Sequence, residues 1–131
     1  MASVELDEDT INRLKVAELR TALTLRGLDQ LVDEFESDVG AGKDLKSAGW
    51  GGSNYGLSKL AVIASTKIHA RLHPSLKVNA CCPGYCDTDM TSHKGPRPPS
   101  EGAQNAVVLA TMPRERCPTG AFYEDQQQSV W

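Results

Sequence analysis

The feature that most constrains the fold of this chain is a long helical pattern that stops abruptly and gives way to a strand pattern. The helix should run to about Leu72, because Pro74 restricts the backbone of His73, the residue before it. Residues 76–82 then alternate in character and are mostly small or branched, which is typical of a short strand buried between helices. This succession predicts an α/β fold. One face of the predicted helix carries apolar residues at the required spacing, namely Leu57, Leu60, Ala61, Ala64, Ile68 and Leu72.

Two residues with chemical potential, Tyr55 and Lys59, lie at the start of this helix. Positions four apart share one side of a helix, so the phenol and the ammonium can converge on one small volume. A cation held beside a phenol favours the phenolate, which makes a tyrosine a better proton donor and acceptor near neutral pH. Many helices carry such a pair for structural reasons alone. The pair is therefore a candidate catalytic site that needs support from its context.

The loop after the predicted strand is a candidate ligand-binding segment. Pro83 and Gly84 stop the strand and open a loop that runs to Thr88. In open α/β sheets, ligands bind where strands end at their carboxyl side, and glycine lets the backbone come close to a ligand. Thr88 and the neighbouring amides could bind a carboxamide or a phosphate. Before the helix, Trp50 stands in a glycine-rich stretch, where it could line an apolar substrate pocket or simply close the hydrophobic edge of the fold.

Charge and composition exclude several classes of function. The net charge is −3 and the basic residues are scattered, so nucleic acid is not an expected partner. No apolar run approaches the roughly 18 residues of a membrane span, and residues 1–10 lack the pattern of a signal peptide. We therefore expect a soluble, cytoplasmic protein without a membrane partner. A metal site is not expected, because the spacing of Cys82, Cys86 and His93 matches no common zinc pattern and the four cysteines suit reduced, buried thiols.

Helical patterns also flank the central segment. Residues 5–26 are predicted to form a helix that Gly27 interrupts, and residues 28–39 a second amphipathic helix that Gly40 ends. Near the C-terminus, Ser100 should cap another helix, and residues 120–123 should form the last strand. The apolar side of that C-terminal helix is predicted to comprise Ala103, Ala106, Val107 and Ala110.

Several motifs, taken in order, resemble those of a known family. The segments YGLSK, KIHARL, VNACCPG, PGYCDTDM and GAFYEDQQQSVW look like the C-terminal half of a short-chain dehydrogenase/reductase, and most like the cytosolic, monomeric, NADPH-dependent carbonyl reductases. The resemblance runs from about Leu6 to Trp131. It implies the C-terminal part of a Rossmann-type doubly wound parallel sheet, in a single incomplete domain. Residues 1–48 would be a helical insertion and residues 49–131 the C-terminal half of the catalytic domain.

The resemblance also assigns roles to individual residues. Tyr55 would donate a proton to the carbonyl oxygen of an aldehyde, ketone or quinone while NADPH delivers a hydride. Lys59 would support Tyr55 and bind the hydroxyls of the nicotinamide ribose. The insertion resembles one that covers the pairing surface of related enzymes, so a monomer is expected. The implied cofactor-binding residues are Tyr55, Lys59, Pro83, Gly84, Cys86, Asp87 and Thr88, and the implied substrate-binding residues are Trp50 and Tyr85.

The sequence departs from the family pattern in two respects. Asp87 stands where the carbonyl reductases that it resembles have a basic residue, which puts local contacts with an anionic cofactor in doubt. The chain also offers no glycine-rich turn between a strand and a helix, and no counterpart of the catalytic serine. We therefore expect a reductase fragment that is inactive alone. The alternative is a non-catalytic protein that binds a partner through an unpaired sheet edge.

Overall fold

The structure, a computed structural model, describes residues 24–130. Most of the helix predicted over residues 5–26 lies outside this range. The chain divides into two compact units, residues 1–68 and 69–131. None of the helices formed by residues 24–130 is both long and apolar enough to cross a membrane. The elements in chain order are α1 (Leu25–Gly40), α2 (Asn54–Leu72), β1 (Ala80–Cys81), a 3₁₀ turn (Asp89–Thr91), α3 (Pro99–Gly102), α4 (Gln104–Thr111), β2 (Phe122–Glu124) and β3 (Gln127–Ser129).

Helix α1 begins earlier than predicted. The hydroxyl oxygen of Thr24 accepts a hydrogen bond from the Gly27 amide at 3.1 Å, which satisfies one of the free N–H groups of the first turn. Gly27 therefore lies inside the first turn of the helix, and the predicted interruption there is wrong because Thr24 supplies the cap. The predicted end is confirmed, since α1 stops at Gly40 and Gly42 follows with a φ of 66°.

The core of the first unit is built around Trp50. This side chain is only 2% exposed, and its Nε1 donates a hydrogen bond to Asp38 Oδ2 at 2.9 Å. Its ring meets the ring of Phe35 edge-on, with centroids 5.4 Å apart. Leu28 and Leu31 of α1 are buried, whereas Val32 and Val39 are exposed. Trp50 therefore fastens the connection between α1 and α2 to the first helix.

The central helix, α2, matches its prediction closely. It runs to Leu72 and stops before His73 and Pro74, as the proline requires. The hydroxyl of Ser53 accepts a hydrogen bond from the Gly56 amide at 3.0 Å, which caps the first turn. The predicted apolar face is buried at Leu57, Ala64 and Ile68, while Leu72 is exposed.

The second unit holds a three-stranded sheet in the order β1-β2-β3. Strands β1 and β2 are parallel, with Ala80 opposite Phe122, as the fold class predicts. Strand β3 pairs antiparallel with β2, so the described sheet is mixed rather than purely parallel. The reversal arises at Asp125 and Gln126, which both have positive φ angles and form a two-residue turn. The last predicted strand therefore becomes a hairpin.

Strand β1 is shorter than the predicted strand of residues 76–82, because side chains take over part of its hydrogen bonding. The Val78 amide donates to Thr119 Oγ1 at 3.2 Å, and the Asn79 side chain donates to the Pro118 carbonyl at 2.9 Å. Backbone pairing nevertheless continues to Cys82, whose amide donates to the Tyr123 carbonyl at 2.9 Å. The chain is thus held in an extended course up to the loop that follows.

The predicted apolar face of the C-terminal helix is wrong. Ala103, Ala106, Val107 and Ala110 are all exposed. The buried residue is instead Asn105, at 1% exposure, because its amide finds hydrogen-bond partners in the interior of the second unit. Gly102 is buried as well, and a Cβ there would collide with Cys86 Sγ. The close approach of Gly102 to Cys86 positions α3, and the hydrogen bonds of Asn105 position α4. Buried apolar area is not what positions these helices.

Candidate functional site

The pair predicted at the start of α2 comes together in the structure. Lys59 Nζ lies over the ring of Tyr55, 5.4 Å from its centroid, which is a cation–π contact. Tyr55 is 61% exposed, and Lys59 is also exposed. Ser58, which lies between them, donates its hydroxyl to the Tyr55 carbonyl at 2.8 Å and so serves the helix backbone. The phenol and the ammonium share one solvent-accessible side of the helix.

The chemistry of this pair suits a ligand rich in oxygen. A phenol can donate or accept one proton, and an ammonium offers three donors and a full positive charge. Both groups are open to solvent, so a carbonyl oxygen or a ribose hydroxyl could reach them without displacing packed side chains. The donor set at Tyr55 and Lys59 therefore suits a ligand that presents a carbonyl oxygen or sugar hydroxyls.

The loop of residues 83–88 is organised mainly by hydrogen bonds to residues that follow it in the chain. The Asp87 amide donates to the Arg97 carbonyl at 2.8 Å, and the Thr88 amide donates to Thr91 Oγ1 at 3.1 Å. These two amides, which we expected to face a ligand, already have partners in the segment that follows the loop. Gly84 has a φ of 78°, which only glycine adopts easily. Any ligand here would meet side chains and a preformed backbone.

The side chains of this loop point to different environments. Tyr85 is 54% exposed, so it remains accessible to a ligand. Cys86 is buried, and its Sγ donates to the Pro83 carbonyl at 3.3 Å, so it packs beneath the loop. Asp87 Oδ1 lies 2.7 Å from His93 Nδ1, and His93 Nε2 lies 3.0 Å from Asp89 Oδ1. Asp87, the residue that departs from the family pattern, is thus paired with His93, which follows the loop in the chain.

Two residues that the sequence analysis did not single out shape the second unit. Arg97 contacts Asp125, Glu101 and the carbonyl of Pro83. Asn105 contacts the carbonyl of Cys82 and the amide of Gln126. A signal for Asn105 existed, since a polar residue at the start of a short, mostly apolar helix needs a partner if it is buried. Arg97 stands in a proline-rich stretch and gave no comparable signal.

The predicted site residues fall into both units. Tyr55, Lys59 and Trp50 belong to residues 1–68, and the loop of residues 83–88 belongs to residues 69–131. Trp50, with Phe35 and Leu57, lines an apolar cavity of about 300 Å³ alongside α1 and α2. Contact of Trp50 with a substrate stays a prediction. Within residues 24–130, no group of three histidine, cysteine or acidic side chains is arranged to hold a metal ion.

The chain is similar in sequence to several curated dehydrogenases and reductases. No family model matches the chain. It is 37% identical over 116 residues to a (+)-neomenthol dehydrogenase of Capsicum annuum, covering 86% of this chain and 36% of that protein. It is 41% identical over 103 residues to a (−)-isopiperitenone reductase of Mentha piperita, covering 77% and 32%. It is 34% identical over 116 residues to human carbonyl reductase (NADPH) 1, covering 83% and 42%.

A solved structure is similar as well. Salutaridine reductase from Papaver somniferum superposes with a TM-score of 0.70 at 26% sequence identity, covering 90% of this chain and 41% of that chain. The chain therefore spans less than half the length of each of these proteins. The similarity extends over most of the described residues.

Proposed function

Because this chain is homologous to the C-terminal part of the short-chain dehydrogenases/reductases, with carbonyl reductases among its relatives, we propose that it carries the proton-donating part of an NADPH-dependent carbonyl reductase site. The observation that carries the proposal is the exposed pair of Tyr55 and Lys59, with the ammonium 5.4 Å from the ring centroid. The resemblance inferred from the sequence and the Rossmann-type α/β class agree with these relatives.

The two residues divide the work at the reacting oxygen. Tyr55 hydrogen-bonds the substrate carbonyl and gives up its hydroxyl proton as the oxygen gains negative charge. Lys59 stabilises the negative charge that then remains on the phenol, because its ammonium is held against the same ring. NADPH, when bound, supplies the hydride. Tyr55 and Lys59 also hold the ribose hydroxyls, which fixes the position of the substrate carbonyl relative to the proton donor.

The remaining predicted residues complete this proposal. Pro83, Gly84, Cys86, Asp87 and Thr88 form the nicotinamide side of the cofactor site, with Cys86 acting from beneath the loop through packing. Trp50 and Tyr85 contact the apolar part of an aldehyde, ketone or quinone. In this proposal the reductase is cytoplasmic and monomeric, with residues 1–48 as a helical insertion and residues 49–131 as part of the catalytic domain.

NADPH binding by residues 1–131 alone is expected to be weak. The fold anchors a dinucleotide mostly through a glycine-rich turn and a helix N-terminus, and the sequence contains no such turn. A ribose contact and a few loop contacts contribute about 1–2 kcal/mol each, which is too little to offset the entropy of association. Titration of NADPH into the chain, followed by its fluorescence, is expected to give no micromolar binding.

A chimera tests the proposal in an enzyme that has a complete cofactor site. Residues 49–131 replace the homologous part of human carbonyl reductase, and turnover is followed as the loss of NADPH absorbance with an aldehyde, a ketone and a quinone. We expect reduction of at least one of these substrates. A chimera that folds and binds NADPH but reduces none of them would contradict the proposal.

The sheet edge supports a second candidate, a non-catalytic protein that binds a partner. Strand β1 pairs only with β2 in the described sheet, so its other edge has backbone groups free to pair with an added strand. The edge is two residues long, which offers few such bonds. An inactive chimera with intact NADPH binding would favour this candidate.

A further inference from the structure

The turn between β2 and β3 adopts a conformation that its residues do not favour. Asp125 and Gln126 have φ angles of 49° and 61°, so two consecutive non-glycine residues are left-handed. Two-residue hairpin turns of this kind prefer asparagine, aspartate or glycine first and glycine second. Gln126 is an uncommon choice for the second position. Contacts from elsewhere in the second unit must therefore hold the turn in place.

Two side chains supply these contacts, and both also reach the loop that follows β1. Arg97 Nη2 lies 2.7 Å from Asp125 Oδ1, and its Nη1 donates to the Pro83 carbonyl at 3.1 Å. Asn105 Oδ1 accepts from the Gln126 amide at 2.6 Å, and its Nδ2 donates to the Cys82 carbonyl at 2.8 Å. Arg97 thus links Asp125 to the Pro83 carbonyl, and Asn105 links Gln126 to the Cys82 carbonyl.

Arg97 is bound to the loop along its backbone as well. Its carbonyl accepts the Asp87 amide at 2.8 Å, and its own amide donates to the Tyr85 carbonyl at 3.4 Å. Its guanidinium lies against Gly84, where an added Cβ would sit 2.6 Å from Arg97 Nη1. The course of residues 83–87 is therefore fitted to Arg97, whose side chain is 26% exposed.

We propose that Arg97 and Asn105 are positioning residues that couple the turn at Asp125 and Gln126 to Cys82 and the loop of residues 83–88. A change in the conformation of the turn then changes the conformation of the loop, because Arg97 contacts both and Asn105 contacts Gln126 and Cys82. The further statement that this loop faces a nicotinamide cofactor rests on the proposed function. The coupling itself is a property of the described contacts and needs no cofactor.

Hydrogen exchange of the full chain tests this coupling. Asp125→Asn weakens the ion pair with Arg97 at an exposed position, so the variant is expected to fold. The proposal predicts that exchange of the Asp87 amide, which bonds to the Arg97 carbonyl, speeds up about threefold to tenfold. Exchange of α2 amides is expected to change less than about twofold. The matched control is Glu124→Gln, which removes the same charge from the neighbouring residue.

Substitution of Arg97 separates coupling from general stability. Arg97→Ala removes all three contacts of the guanidinium, with Asp125, Glu101 and the Pro83 carbonyl, and is expected to speed exchange at Asp87 by about tenfold or more. Arg97→Lys keeps the charge beside Asp125 but loses the forked geometry, so its effect is expected to lie between wild type and Arg97→Ala. This order would not arise from a uniform loss of stability, which accelerates all slowly exchanging amides together.

Two results would overturn the coupling. One is faster exchange in Asp125→Asn that stays confined to the turn, and the other is an equal acceleration in the loop and in α2. Failure of the proposed function gives a different result. If Asp125→Asn in the chimera speeds exchange of the loop amides but leaves NADPH affinity unchanged, the coupling stands. That result would show that the loop does not contact the cofactor.

Discussion

The start of α2 and the loop after β1 both supply candidate site residues, yet they are held in different ways. Tyr55 and Lys59 are aligned by helix geometry alone, and their contact joins residues four positions apart. The loop of residues 83–88 is held by Arg97, which bonds to Pro83 from 14 positions away, and Asn105 bonds from 23 positions away to Cys82, the residue just before the loop. The helix needs only local order, whereas the loop depends on the packing of the second unit.

This difference teaches where substitutions should be tolerated. An exposed helix face can change without disturbing a core, so Tyr55 and Lys59 can be selected for chemistry with little cost in stability. The loop has no such freedom, because the Pro83 carbonyl and Gly84 both face the Arg97 side chain at close range. Substitution there should affect stability first.

The largest effect on stability is expected at Gly95. A Cβ at this position would collide with the backbone carbonyl of Cys86, which cannot move aside as a flexible side chain could. Gly95→Ala should therefore lower the free energy of unfolding by about 3 kcal/mol or more, measured by urea denaturation. The control is Gly40→Ala at the end of α1, where a Cβ meets nothing within 4 Å. We expect the control to be neutral or stabilising by up to about 1 kcal/mol, and equal losses would break the comparison.

A smaller effect is expected from Trp50→Phe in the first unit. The change removes the hydrogen bond to Asp38 and part of a buried ring, so the free energy of unfolding should fall by about 1–2 kcal/mol. Asp38→Asn is the matched control, because it keeps an acceptor for Trp50 and weakens the pair with Lys43. That control should cost less than about 1 kcal/mol. A neutral Trp50→Phe would mean that this ring does not fasten the connection to α1.

The sequence predicted the first of the two regions well. Helical spacing is a local property, so the extent of α2, its end before Pro74 and the convergence of Tyr55 with Lys59 could all be read from nearby residues. The same held for the end of α1 at Gly40. The prediction that Gly27 interrupts the helix failed, because Thr24 caps the first turn and Gly27 lies inside it.

The second region was predicted less well, since its order arises between residues far apart in the chain. Asn105 bonds to residues 23 and 21 positions away, and no local pattern reveals either partner. Counting apolar residues therefore chose the wrong face of α4. The hairpin was missed because Asp125 and Gln126 lack the usual glycine of such a turn. The roles proposed for residues 83–88 remain predictions.

The claim at the centre of this account is that Tyr55 donates the proton. It is tested most directly by measuring turnover and NADPH affinity together in the chimera with Tyr55→Phe, which removes one hydroxyl from an exposed ring. We predict that turnover at saturating NADPH falls by about 100-fold or more, while NADPH affinity weakens by no more than about tenfold, the loss of one ribose contact. Tyr123→Phe makes the same chemical change in β2 and should leave turnover unchanged. Retention of most of the turnover by Tyr55→Phe would contradict the account.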